Sequence, residues 1–172
     1  MKLLLLLFCS TLVFAQTPQK PCSDARASQF DFWIGEWELS WAGGQAGTPE
    51  GQTGSARNHI TKNLGGCTIE ENFSFADSSF IGRSWSVFNA QTEHWQQTWV
   101  DNSGAYLLFT GGYEDGKMEL RSAVKERNGK QVVSRMIFEN ITADAFDWNW
   151  QRSLDGGQTW SDLWNIRYRR KK

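Results

Sequence analysis

The rhythm of turn residues is what most limits how this 172-residue chain can fold. Breaks fall at Leu64-Gly65-Gly66, Ala76-Asp77-Ser78-Ser79, Asn89-Ala90-Gln91-Thr92, Asp101-Asn102-Ser103-Gly104, Glu114-Asp115-Gly116, Asn128-Gly129, Thr142-Ala143-Asp144 and Asp155-Gly156-Gly157. The runs between them are short, alternating and rich in aromatic residues, the pattern of half-buried strands. A run before the first break has the same character: Trp37, Leu39 and Trp41 alternate with Glu36, Glu38 and Ser40, giving one apolar and one wet face. Together these breaks delimit about ten strands. Asp115-Gly116 and Asn128-Gly129 are strong two-residue hairpin signals, because both residues of each pair tolerate positive φ. No stretch after Trp41 carries a helical period. Evenly spaced hairpins without helical crossovers predict an all-β fold, an antiparallel up-and-down barrel of about ten strands. Residues 43–54, rich in Gly, Gln and Thr and containing Pro49, predict a flexible loop at one barrel end. A short helix or turn is expected over residues 23–29, with Ser23 or Asp24 as its cap.

The N-terminus has a different character. Lys2 supplies a minimal basic region, residues 3–8 begin an apolar core, and Val13-Phe14-Ala15 offers compact residues before Gln16. These features predict a secretory signal peptide over residues 1–15, cleaved after Ala15, and export to the periplasm or beyond. The apolar run is too short and too interrupted for a transmembrane anchor, which needs about 20 apolar residues. Cleavage leaves 157 residues, predicted as an N-terminal segment at 16–29 and a single barrel domain at 30–170. Loss of Lys2 leaves 17 basic against 19 acidic residues. The basic residues are scattered except in the tail Arg167, Arg169, Arg170, Lys171 and Lys172, which reads as a solvated end rather than a nucleic-acid surface.

Of three cysteines, Cys9 falls within the predicted leader, leaving Cys22 and Cys67 as a disulfide in an oxidising compartment. Such a bridge would tie the N-terminal segment to the second hairpin. Closing that loop contributes about 3–4 kcal/mol in the chain-entropy model.

Ten Trp and eleven Phe far exceed what turns and edges require. Trp95, Gln97, Trp99 and Asp101 share one face of a strand, and a barrel interior carrying Trp beside Gln and Asp reads as a lined cavity, the alternative being a barrel that these Trp simply fill. Glu71 shares a face with Ile69 and Phe73, and Arg135 with Val133 and Ile137, so an inward Glu71–Arg135 pair reads either as a ligand-orienting pair or, equally, as a structural network that touches no ligand. The candidate cavity residues are therefore Glu71, Trp95, Gln97, Trp99 and Arg135, and the expected ligand is a small apolar or amphipathic molecule. An outward aromatic surface that docks an envelope glycan or protein is the alternative reading of the same richness.

Catalytic constellations are thin. Glu70 and Glu71 are adjacent on a strand and face opposite ways, so they cannot flank one glycosidic bond. His59 and His94 are the only histidines, no Cys or His spacing resembles a metal site, and no nucleophile-elbow pattern occurs. Non-enzymatic binding is favoured, and neither a cofactor nor a metal is expected. The stretch Ser153, Asp155, Gly157, Thr159 and Trp160 matches the Asp-box pattern of sialidase-type propellers. Propellers repeat that box and this chain carries one copy, which reads as a hairpin cap.

The stretch FDFWIGEW at residues 30–37 resembles the opening of a calycin barrel. Taken with RNHI (57–60), GCTIEENF (66–73), GRSWSVF (82–88), WQQTWVDNSG (95–104) and SLDGGQTW (153–160), it is similar to a family of secreted bacterial proteins with a lipocalin-like or nitrobindin-like barrel. The resemblance covers essentially the whole mature chain and implies a fold but no established activity. It implies that Trp37 packs across a closed barrel floor, that Gly35 allows the tight entry into strand one, and that Arg167 or Arg169 packs over Trp37. Nitrobindin-type relatives hold haem through a His near the C-terminal strands. This chain has no His after His94, which disfavours haem and leaves a haem-binding or cofactor-dependent enzyme using His59 or His94 as a second alternative reading.

Overall fold

A computed structural model describes residues 22–172. The predicted signal peptide, its cleavage point and residues 16–21 lie outside the described residues. Eleven strands follow one another: β1 (Gly35–Ala42), β2 (Thr53–Asn63), β3 (Thr68–Phe75), β4 (Ile81–Asn89), β5 (His94–Asp101), β6 (Tyr106–Glu114), β7 (Lys117–Arg121), β8 (Lys125–Arg127), β9 (Lys130–Glu139), β10 (Ala145–Ser153) and β11 (Ser161–Arg170). Ten of them close a ring of antiparallel neighbours, in the order β1 to β7, then β9, β10, β11 and back to β1. Closure is made by Trp37 opposite Arg170 and Leu39 opposite Tyr168. This closed antiparallel barrel is the expected fold class and is compatible with a lipocalin-like architecture.

The eleventh strand comes from a run that sequence alone reads as one. After β7 the chain leaves the ladder at Ser122, whose N–H donates to the Ser134 carbonyl and whose hydroxyl accepts from the Ser134 N–H. It then returns as β8, a short arm paired only with the start of β9. The hairpin turns carry the expected chemistry: Asp115 and Gly116 have φ of 49° and 79°, and Asn128 and Gly129 of 50° and 71°.

Side-chain alternation separates inside from outside. Trp37, Leu39 and Trp41 are buried, as are Ala56, Asn58 and Ile60 on β2 and Ile69, Glu71 and Phe73 on β3. One barrel end is plugged by the N-terminal segment. A 3-10 turn at Ala25–Ser28, capped by Asp24 accepting from the Arg26 N–H at 2.9 Å, leads into a second at Asp31–Trp33. This path drives Phe30 and Trp33 into the barrel, where Phe30 meets Trp95 edge-on at 4.9 Å and Phe138 at 5.2 Å. The Cys22–Cys67 disulfide, with Cα atoms 5.3 Å apart, ties the segment to the β2–β3 connection. Among the described residues no helix is long and apolar enough to cross a membrane.

The floor is locked by an arginine other than the two named from the resemblance. Arg170 lies 4.1 Å over the Trp37 ring and donates to the carbonyls of Ile34 (2.7 Å), Phe32 (3.1 Å) and Ala143 (2.7 Å). Strand parity decides this: Ile166, Tyr168 and Arg170 share a row, while Arg167 stands on the other face and pairs with Asp147 at 2.8 Å. Arg169 is likewise on the outer face and exposed. Gly35 is what lets Arg170 reach its carbonyls, since its φ is +130° and a Cβ there would collide with the guanidinium.

Candidate functional site

Above the plugged floor the barrel is hollow. Small or polar residues face inward on two strands: Gly54, Ala56 and Asn58 on β2, and Gly82, Ser84 and Ser86 on β4. Trp99 lies flat against Gly82, whose missing Cβ leaves room for its ring. The cavity measures about 210 Å³ and opens at the end away from the plug. Its walls are mostly aromatic, with Phe73, Phe109, Trp148, Trp150 and Trp164 prominent, and Trp33 of the plug forms the deepest part. Trp148 and Trp150 stand with planes 3° apart, and Phe109 meets Trp150 edge-on at 5.6 Å.

Four polar side chains break this apolar wall: Glu71, Gln97, Asp101 and Tyr168. Glu71 is buried, and each of its oxygens accepts one short hydrogen bond: Oε1 from Asn58 Nδ2 at 2.6 Å and Oε2 from Ser84 Oγ at 2.6 Å. Asn58 Nδ2 also donates to Tyr168 Oη at 3.2 Å, which joins β2, β3, β4 and β11 through one polar cluster. Burial pushes the Glu71 carboxyl up to about 7, against the pull of Ser84, Asn58 and the Arg83 charge. Burial, and then the neighbouring Glu71 charge, push the Tyr168 phenol well above its ordinary value. Gln97 donates to Ser86 Oγ at 2.9 Å.

The mouth is fixed by a second carboxylate. Asp101 Oδ2 accepts from Trp99 Nε1 at 2.8 Å, which sets the tilt of that ring. Its Oδ1 accepts from the Ser103 and Ala105 amides. Burial works to raise this carboxyl, but the hydrogen bonds from Ser103, Trp99 and Ala105 outweigh it and hold the group below its ordinary value.

Of the five residues named from sequence, Glu71, Gln97 and Trp99 line the cavity together. Trp95 points inward but belongs to the packed floor, with its Nε1 donating to Gln29 at 3.1 Å. Arg135 is outside the barrel and does not meet Glu71. It donates to Gln151 at 2.6 Å and Glu119 at 3.2 Å, and stacks over Trp160 at 4.0 Å. The apolar company of Val133 and Ile137 misleads here, because the outer face of β9 is itself covered. The box at Ser153–Trp160 folds against it, with the Gly156 N–H donating to the Gln131 carbonyl at 2.8 Å.

Within that box, Asp155 accepts from the amides of Gln158 and Thr159, and Ser153 Oγ accepts from the Gly157 amide at 2.8 Å. Trp160 Nε1 closes back on the Gly157 carbonyl. Hydrogen bonds from Ser153 and Thr159 hold the Asp155 carboxyl well below the usual carboxylate range. His59 and His94 are exposed on the outer face, as is Glu70's side of β3, where Asn63 donates to Glu70 at 2.6 Å. The aromatic surface that sequence offered as an alternative has exposed members in Trp85 and Tyr106, which stand on the outside of β4 and β6 with the aliphatic Leu108.

Sequence reasoning passed over Asn58, Ser84 and Tyr168. The signal was present: alternation around Asn58 places it between Ala56 and Ile60, and Gly82-x-Ser84-x-Ser86 is a row too small to fill a barrel. No protein-family model matches the sequence, and no curated protein matches it.

Proposed function

We propose that this chain is an exported, lipocalin-like binding protein whose barrel takes one small, largely apolar molecule through its open end. The observation that carries this reading is the cavity itself, apolar and aromatic on its walls with a few polar groups at base and mouth, the composition of small-molecule sites. The leader at residues 1–15 and the Cys22–Cys67 bridge support export to an oxidising compartment. At about 210 Å³ the cavity lies below the ~300–1,000 Å³ of drug-sized sites and above the ~150 Å³ that accepts benzene. The ligand is therefore about one ring with a short chain.

Native mass spectrometry of the protein purified from its own host, with an absorbance spectrum of the same sample, tests this reading. A bound molecule of about ten heavy atoms is expected. Calorimetry with 2-phenylethanol then reports on the lining: Trp99→Ala and Leu107→Trp, the latter adding bulk at a lining residue of β6 that pairs with Trp99, should each weaken binding about tenfold or more. Unchanged affinity in both variants would remove the cavity as the binding site.

A further inference from the structure

The charge of the cavity is one-sided, which deepens the ligand-binding reading and rests on it. Glu71 at the base and Asp101 at the mouth are acidic, and among the described residues no Lys, Arg or His contributes to the lining. Arg83, the cation whose charge reaches Glu71, points to the other face of β4 and donates to the Gly82 carbonyl at 2.8 Å. The base is also rich in acceptors. Both Glu71 oxygens accept only one hydrogen bond each and retain a free lone pair, while the donors of Asn58 and Ser84 are already committed. Beside them, Asn58 Oδ1 is buried with no donor at all. Trp148, Trp150 and Trp164 line the same cavity, and tryptophan rings attract cations through their quadrupoles.

We propose that the cavity binds a compact amine in its ammonium form, with the charged nitrogen at Glu71 and a single ring or short apolar chain among the tryptophans. A carboxylate ligand of the same size meets only like charge at both ends of the site and finds no cation to pair with. An ammonium ion brings donors to an acceptor-rich base and neutralises the one buried charge.

Ionisation of Glu71 should then be linked to binding. The groups facing it are Asn58 from β2, Ser84 from β4, Gln97 from β5 and Tyr168 from β11, of which only the Tyr168 phenol titrates, and far above neutrality. Glu71 is thus the group whose charge changes near pH 7 in the cavity. An ammonium ligand favours its ionised form, so amine affinity should rise with pH through neutrality.

The test compares three probes of one shape by calorimetry on the mature protein at pH 8: 2-phenylethylamine, 2-phenylethanol and 3-phenylpropionate. The amine is expected to bind about tenfold or more tighter than the alcohol, and the carboxylate weakest of the three. Between pH 6 and pH 8 the amine should tighten by about tenfold while the alcohol does not change. Glu71→Gln should bring amine and alcohol to similar affinity. The three-probe comparison needs no variant, so it decides the matter even if that substitution disturbs folding. Binding of the alcohol with no preference for the amine, or with the carboxylate equal to it, overturns the amine assignment and leaves the cavity reading standing. Failure of all three at millimolar concentration overturns both.

Discussion

The two ends of this barrel are built from the same aromatic residues and behave differently. At the closed end Phe30, Trp33 and Trp37 interlock with Trp95, Phe138 and Phe146, and Arg170 bolts the second N-terminal turn to the last strand. At the open end Trp99, Trp148, Trp150 and Trp164 line space instead of filling it. The difference lies in what stands opposite the rings. The floor receives an extra segment of chain from outside the barrel, whereas no such segment enters the upper half. Aromatic content alone therefore predicts neither a packed core nor a cavity. Whether a further segment of chain enters the barrel decides between them.

Substitutions at the two ends should separate sharply. Phe30→Ala empties a fully buried site and should cost about 3–5 kcal/mol, read as a lowered denaturant midpoint. Because the plug is also held covalently, the Cys22→Ser, Cys67→Ser double variant should lose about 3 kcal/mol, measured in the same way. If both changes proved mild, the floor would not be the stabilising half.

The open end should show its own signature in pH dependence. The Glu71 carboxyl has a value of about 7 in the folded protein against an ordinary 4.5, so the folded state holds this proton more tightly. Between those two values the unfolded chain has released a proton that the folded one keeps. This contribution to stability is fully present below about pH 4.5, falls as pH rises, and is exhausted above about pH 7. The loss is on the order of 3 kcal/mol from this group. Glu71→Gln should flatten that part of the profile, which urea titrations at pH 5 and pH 8 would read directly. The smallest effect is expected at the mouth, where Trp99 is only half-buried: Trp99→Ala should cost about 1–2 kcal/mol while weakening ligand binding.

The barrel was legible because turn chemistry is local. Asp115-Gly116 and Asn128-Gly129 announce hairpins through their own backbone preferences, and the Trp37, Leu39, Trp41 alternation needs no partner to be read. The site was legible only in part, because facing inward is a property of the assembled ring. Arg135 shares its row with Val133 and Ile137, and nothing local to β9 reveals that the Asp-box hairpin covers that row from outside. Trp95 does face inward, yet its height along the barrel, and hence its place in the floor, depends on where Phe30 inserts. The floor arginine turned on a single position of register, Trp37 opposite Arg170, which shifts the role by one residue from Arg169. The Asn58–Glu71–Ser84 cluster joins three strands and becomes visible only when their rows are laid side by side.

One half of the barrel is packed and the other hollow, and a crystal of the mature protein held under xenon pressure separates the two. Xenon occupies apolar cavities of this size and ignores well-packed cores. Density for xenon among Phe73, Phe109, Trp150 and Trp164, with none around Phe30, Trp37 and Phe146, is the predicted result. Xenon absent from the upper half, with side chains closing the space above Glu71, would contradict the account.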